Sequence, residues 1–270
     1  MGVKEPPLVL EDVLIFLDVF RGYYSLSDPG FLAHISYKLK IGARQLSSFF
    51  EKVKLKALWL PEEKKILIDK DTPDIKHRWY SAHELGHRIV PWHNDFTMGD
   101  TAETLDPGYH EIIEAEANYA AASLLFLASR FSREASDYEL NMKSVQSLSK
   151  IYNNSQAMTL RRFVQHGKDK PMVAVISKPH WVAPDDENLC RYFIPSRMFQ
   201  ERFSKIRENE VLEQVKSYVI CKSGGPVGGG EFVLIDDNGI PHEFIGDSFY
   251  NRYDILTLVV HKRECPRGNF

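Results

Sequence analysis

The stretch His83-Glu84-Leu85-Gly86-His87 constrains the fold more than any other part of the sequence. Its two histidines are four residues apart, so on a helix both imidazoles lie on the same face, one turn apart, and can reach one metal ion. Glu84 directly follows the first histidine, where its carboxylate can act as a general base without binding the metal. We therefore expect a helix that carries two metal ligands and an adjacent base.

A third protein ligand must come from elsewhere, because catalytic zinc usually takes three protein ligands and keeps its fourth position for water. A carboxylate-rich segment with helical spacing follows, in which Glu111, Glu114 and Asn118 share one face. The predicted ligand set for Zn²⁺ is therefore His83, His87 and Glu114. The side-chain oxygen of Asn118 can accept the free ring N–H of a ligating histidine, which orients that ligand.

The residues before the first motif predict helices, a hairpin and the start of the metal helix. Apolar positions at helical spacing predict helices over 8–22 and 30–54. Short apolar runs at 56–60 and 65–69 predict a β-hairpin, and we expect the second strand to offer an edge to an extended peptide. A Thr-Pro-Asp sequence at 72–74 supplies a hydroxyl cap for a helix that the proline at position 91 should end.

The two motifs resemble those of the ImmA/IrrE family of zinc metallopeptidases. The first is the His-Glu-Leu-Gly-His sequence at 83–87, and the second is Glu-Ala-Glu-Ala-Asn-Tyr-Ala-Ala at 114–121, followed by Leu124 and Leu125. The strand predicted at 65–69 is similar to the strand that this family places before its metal helix. The family resemblance therefore rests on two motifs and one strand.

The resemblance covers about residues 56–165 and includes the short helices predicted after Ser144. Those helices are similar to the helix-turn-helix segment that follows the peptidase core in this family. The resemblance implies that Glu114 completes a zinc site. Many members have a leucine-rich run that closes on a histidine, whereas here the histidine stands further on, so His93 is assigned no role.

The last hundred residues change to β character. Strands are predicted at 172–176, 191–194, 217–221, 231–235, 241–245 and 255–261, with a helical segment near 196–207. The glycine-rich run at 224–230 lacks the Lys-Ser or Lys-Thr ending of a phosphate-binding loop and is predicted to be a flexible hairpin loop.

These patterns together predict an α+β fold. We expect a helical zincin-like metallopeptidase domain with a small β-hairpin at residues 1–135. A helix-turn-helix-like helical segment is expected at 136–168. A separate C-terminal α+β domain, for regulation or partner binding, is expected at 171–270.

Composition narrows the partners and the compartment. The 270 residues carry a formal net charge of −3, which provides no global electrostatic case for nucleic acid. The three cysteines are far apart in sequence and fit free thiols in a reducing compartment. The first apolar run is too short to cross a bilayer and has no basic leader, so we expect a cytoplasmic protein that does not bind membranes.

The function that the resemblance implies is site-specific proteolysis. The substrate class would be a DNA-binding repressor with a helix-turn-helix domain, cleaved to relieve repression of transcription after a stress or mobile-element signal. Such a reaction needs a donor for the developing oxyanion, and the local candidates are Tyr80, Tyr109 and His110. An adaptor, toxin or anti-repressor that binds without proteolysis is the alternative, although the intact Glu84 favours the enzyme.

Direct DNA binding is a further hypothesis. The predicted helix pair at 144–165 carries Lys150, Arg161 and Arg162, which could meet phosphates. Three basic residues can contact only a few phosphates, so DNA binding is not favoured.

Overall fold

The computed structural model describes residues 5–39, 56–95, 107–166, 169–182, 188–219 and 223–265. Within these ranges helices and strands are mixed and the strands form two sheets, which confirms the predicted α+β class. The chain divides into two compact units, Met1–Ala128 and Ser129–Phe270.

The first unit combines helices with a small sheet. Its described elements are, in chain order, α1 (Leu10–Phe16), β1 (Phe20–Tyr24), α2 (Pro29–Leu39), β2 (Ala57–Leu60), β3 (Lys65–Asp69), α3 (Asp74–Ile89), a 3₁₀ helix (Pro91–Asp95) and α4 (Pro107–Leu125). The helix predicted over 8–22 is wrong in its second half, because Asp18 has a positive φ of 54° and the aromatic residues after it form β1. Most of the helix predicted over 30–54 lies outside the described residues.

The sheet of the first unit has the strand order β1-β3-β2. The predicted hairpin is confirmed, since β2 and β3 pair antiparallel with Trp59 opposite Ile66. The expectation that β3 is an edge strand is wrong, because β1 pairs with its other side in parallel. The burial of β3 from Ile66 to Asp69 on both faces fits a central strand.

Helix α3 carries the first motif and ends where the sequence predicts. Its last residue is Ile89, one residue before the C-cap, and a proline follows. The predicted hydroxyl cap is wrong, because Pro73 is the N-cap residue and the Thr72 hydroxyl is buried without a hydrogen bond. The Thr72 carbonyl oxygen instead contacts Nε2 of His77 at 2.8 Å, which ties the residue before the helix to its first turn.

Helices α3 and α4 pack closely because a glycine faces an alanine at their contact. A Cβ atom on Gly86 would lie 2.6 Å from the carbonyl oxygen of Ala117 and 3.1 Å from its Cα. Around this point Ala82, Leu85 and Ala121 are fully buried. The small residue is therefore required for the approach of the two helices that carry the predicted ligands.

The second unit is built on a five-stranded sheet with the order β5-β4-β8-β7-β6. Its described elements are α5 (Ser129–Ser136), α6 (Met142–Tyr152), α7 (Gln156–His166), β4 (Met172–Ser177), β5 (Cys190–Pro195), α8 (Arg197–Arg202), α9 (Glu208–Tyr218), β6 (Gly225–Ile235), β7 (Pro241–Tyr250) and β8 (Ile255–Glu264). Its strands pair antiparallel. Cys190 and Cys265 are free thiols, and the third cysteine, Cys221, lies outside the described residues.

Two predictions for the second unit are wrong. Ser217 belongs to α9 and does not begin a strand. The glycine-rich run forms most of β6 and is not a loop. The reason is a close contact with an aromatic ring, since a Cβ atom on Gly230 would lie 2.5 Å from Cδ1 of Tyr218. These glycines let the ring lie against the strand backbone.

The helix pair predicted after Ser144 is present as α6 and α7. Asn153 ends α6 in the left-handed conformation, and the Ser155 hydroxyl accepts from the N–H of Met158 at the start of α7. Both helices belong to the same compact unit as the C-terminal sheet, whereas the sequence predicts a boundary between them. Arg162 is buried, so only two of the three basic residues predicted to meet phosphates remain at the surface, and the guanidinium of Arg161 lies 5.1 Å from the centre of the Tyr192 ring.

Candidate metal centre

Three side chains from α3 and α4 converge on one point. His83 Nε2 lies 3.2 Å from His87 Nε2 and 3.2 Å from Glu114 Oε2. His87 Nε2 lies 3.5 Å from Glu114 Oε1. These three residues form a group whose donor atoms could hold a metal ion. The predicted ligands are therefore brought together.

The spacing of these donor atoms fits a small tetrahedral cation. Zinc bonds of about 2.0–2.1 Å at tetrahedral angles place neighbouring ligand atoms about 3.3 Å apart. The two Nε2 atoms are 3.2 Å apart, and they lie 3.2 and 3.5 Å from different oxygens of Glu114, Oε2 and Oε1, all close to that value. Two imidazoles and one carboxylate also match a known zinc donor set. Both the chemistry and the spacing of the residues therefore fit the predicted ion.

Asn118 orients the first histidine. Its side-chain oxygen lies 3.1 Å from Nδ1 of His83. An amide oxygen can only accept, so Nδ1 of His83 carries the proton and its Nε2 is left with a lone pair directed to the site. The sequence-based expectation for Asn118 matches this contact.

The two carboxylates of the site have opposite electrostatic environments. Burial raises the pKa of Glu84 to about 7, and the nearby carboxylate of Glu114 adds to that shift. Burial also acts to raise the pKa of Glu114, but when His83 and His87 are protonated on Nε2, their hydrogen bonds and positive charges outweigh burial and hold that pKa far below its usual value. Glu114 is therefore kept as an anion, which a metal ligand requires, whereas Glu84 can exchange a proton near neutral pH.

Glu84 is held at the meeting point of α3 and the hairpin. The residue is 7% exposed, and the main-chain N–H of Trp59 in β2 acts to lower its pKa. Within the described residues, β2 is an edge strand of its sheet. The predicted base therefore lies beside a main-chain donor of β2 and follows the predicted ligand His83 on α3.

The predicted oxyanion donors are only partly described. Tyr80 lies in α3, one turn before Glu84, and is half-buried. Tyr109 and His110 lie in the first turn of α4, and their side chains are outside the described part of the chain. Their role stays a prediction.

Sequence reasoning missed a second group of contacts behind the ligands. His93, in the 3₁₀ helix, lies 3.1 Å from the outer ring nitrogen of His87 and 2.9 Å from Glu116. Trp92 donates to the same carboxylate oxygen of Glu116 at 2.7 Å. His93 can be read from the sequence as a possible hydrogen-bonding residue. No local sequence pattern indicates that the 3₁₀ helix directs its side chain back towards α3.

Comparisons with known proteins add little to this geometry. No family model matches the sequence, and no curated protein matches it. A Mycobacterium tuberculosis transcriptional regulator of known structure matches with a TM-score of 0.47 and 12% identity, over 77% of this chain. The match spans 62% of that protein, less than two thirds of its length. The chemistry of the chain must therefore be inferred from its own side chains.

None of the helices in the described residues has both the length and the apolar character needed to cross a bilayer.

Proposed function

We propose that this chain is a zinc-dependent endopeptidase, related to the ImmA/IrrE peptidases that its motifs resemble and zincin-like in its metal helix. The observation that carries the proposal is the convergence of His83, His87 and Glu114 beside a buried carboxylate, Glu84. The three ligands would hold Zn²⁺ and leave one position for substrate or water. A structural zinc site would have no evident use for a second, non-ligating carboxylate.

The residues of the site suit peptide hydrolysis. Bound Zn²⁺ supplies a Lewis acid that polarises the scissile carbonyl. The Glu84 carboxylate accepts a proton from the attacking water and returns it to the nitrogen of the leaving amine. Burial keeps the pKa of Glu84 high, while a cation on the neighbouring ligands favours its charged form, so the two effects oppose each other. Such a balance suits a group that must both take and release a proton.

The substrate class comes from the resemblance of the two motifs alone. We infer that the substrate is a repressor protein with a helix-turn-helix domain, cleaved in the cytoplasm to relieve transcriptional repression during stress. The second compact unit would then bind the partner or regulate the site.

The test is cleavage of a candidate repressor co-expressed with the intact chain or with Glu84→Gln. We expect the variant to retain zinc and to lower the cleavage rate at least about 100-fold, because a general base contributes about that much or more. Asp12→Asn is the matched control, since Asp12 is an exposed carboxylate of α1 in the first unit, and its replacement by the amide should leave cleavage unchanged.

Two outcomes would reject the peptidase. Glu84→Gln could relieve repression as well as the intact chain does, without cleavage, which would favour an adaptor or anti-repressor that acts by binding. Alternatively, the purified chain could hold no zinc, which would remove the metal centre itself.

A further inference from the structure

A chain of hydrogen bonds runs from α4 through the 3₁₀ helix to the outer nitrogen of His87. Nε2 of His93 lies 2.9 Å from Oε2 of Glu116, and Nδ1 of His93 lies 3.1 Å from Nδ1 of His87. The indole N–H of Trp92 donates to the same carboxylate oxygen at 2.7 Å. The His93 side chain is 1% exposed, so water competes little for these contacts.

These contacts allow one arrangement of protons in neutral rings. An ionised carboxylate can only accept, so Nε2 of His93 must carry the proton that faces Glu116. Nδ1 of His93 is then unprotonated and accepts a hydrogen bond from Nδ1–H of His87. His87 is left with a lone pair on Nε2, the nitrogen that faces His83 and Glu114.

We propose that His93 and Glu116 are positioning residues that hold His87 in the tautomer a metal ligand needs. The inference rests on the proposed metal site and adds to it two residues that do not touch the ion. It also makes the two histidine ligands alike, because the acceptor at the end of each hydrogen-bond chain lies on α4. Asn118 serves His83 directly, whereas Glu116 serves His87 through an intervening imidazole.

The direct test compares two substitutions of the same residue. His93→Leu removes the acceptor for His87 and keeps an apolar side chain in a buried position. His93→Asn places an amide oxygen near the position of Nδ1 and can still accept from His87. Zinc dissociation constants are measured by competition with a chromophoric chelator, so the readout does not depend on turnover.

We expect His93→Leu to weaken zinc binding about 10- to 100-fold and His93→Asn to restore most of that loss. A role in packing alone predicts the opposite order, because leucine suits a buried position better than asparagine does. Equal zinc affinity in His93→Leu and the unchanged chain would overturn the inference, and so would a failure of His93→Asn to improve on His93→Leu.

A second variant covers the case in which position 93 tolerates no change. Glu116 is 37% exposed, so we expect Glu116→Ala to leave the packing of the helices intact. Glu116→Ala should weaken zinc binding, as His93→Leu does. An unchanged zinc affinity would contradict a role for the hydrogen-bond chain from Glu116 through His93 to His87. Trp92→Phe is the control, because it removes the indole donor but keeps the contact between Glu116 and His93.

Nitrogen NMR of the metal-free chain separates this inference from the proposed function. Histidine ¹⁵N–¹H correlations report which ring nitrogen carries the proton, with or without zinc. We expect His93 to be protonated on Nε2 and unprotonated on Nδ1. If this tautomer is found in a protein that binds no zinc, the hydrogen bonds of His93 are supported and the metal site is rejected. If the opposite tautomer is found in a protein that binds zinc, only the positioning role of His93 and Glu116 is rejected.

Discussion

Each compact unit contains two histidines beside a carboxylate, and the two clusters differ in which ring nitrogens face one another. In the first unit one nitrogen of His87, Nε2, faces both partners, at 3.2 Å from His83 and 3.5 Å from Glu114. All three donor atoms therefore surround one point in space.

In the second unit the partners lie on opposite sides of the central ring. Nδ1 of His242 is 3.1 Å from Nε2 of His261, whereas its Nε2 is 3.4 Å from Asp236. The carboxylate of Asp236 is inaccessible to solvent and already accepts hydrogen bonds from Arg202 and from the main-chain N–H of Ile240.

The difference shows that residue types alone do not make a metal site. A cation needs donor atoms that point to one position and still have a free lone pair. The cluster around Asp236 meets neither condition, and its contacts instead join α8 to the turn between β6 and β7. Three substitutions test this contrast, in order of their expected effect on zinc binding.

The largest loss is expected for Glu114→Ala. Removal of one of three protein ligands should weaken zinc binding by more than about 100-fold, beyond the loss usual for residues that only support a ligand. Competition with a chromophoric chelator measures the affinity, and circular dichroism checks the fold. Glu111→Ala, which removes an exposed carboxylate one turn earlier on α4, should leave the affinity unchanged. Equal losses in the two variants would contradict the assignment of Glu114.

A smaller loss is expected for Gly86→Ala. The added methyl group would meet the carbonyl oxygen of Ala117 and push α3 away from α4, which moves Glu114 relative to the histidines. We expect about a tenfold weaker zinc affinity and a free energy of unfolding lowered by about 1–3 kcal/mol.

Gly30→Ala is the control for that substitution. Among the described residues, a Cβ atom at this exposed helical position would contact only the side-chain oxygen of Asp28, at 3.3 Å. The free energy of unfolding of Gly30→Ala should stay within about 1 kcal/mol of that of the unchanged chain. If Gly86→Ala behaved in the same way, the close approach of α3 and α4 would not limit the site.

No loss of zinc is expected for Asp236→Asn. This substitution instead changes how the free energy of unfolding depends on pH. Burial acts to raise the pKa of Asp236, but hydrogen bonds from Ile240 and Arg202 outweigh it and lower that pKa to about 2. A carboxyl whose pKa is lowered in the folded state stabilises the fold above its unfolded pKa of about 4. That stabilisation is lost as the pH falls from about 4 through about 2.

Chemical unfolding at several pH values measures this effect. The unchanged chain should be more stable than Asp236→Asn at pH 6, and the difference should shrink as the pH falls from about 4 to about 2. A difference that stayed constant with pH, or a loss of bound zinc in the variant, would remove the contrast between the two clusters.

The parts of the site that the sequence predicts are those that depend on local spacing. The positions of His83, His87 and Asn118 on their helices follow from the helical repeat, and a carboxylate one turn before Asn118 identifies Glu114. The end of α3 follows from a proline. These features need no knowledge of how distant segments pack.

The features that escaped prediction depend on contacts between distant segments. β1 pairs Phe20 with Lys65, and no local pattern indicates that a strand so far away covers the side of β3. The glycines of β6 look like loop residues until the ring of Tyr218 is known to lie on them. The contact between His93 and Glu116 joins residues 23 positions apart through a turn that the sequence does not specify.

X-ray absorption at the zinc edge of the purified chain tests the metal centre most directly. One zinc per chain is predicted, bound by nitrogen and oxygen at about 2.0–2.1 Å with the outer-shell scattering of two imidazoles. Substoichiometric zinc, or sulfur ligands at about 2.3 Å, would contradict a site made of His83, His87 and Glu114.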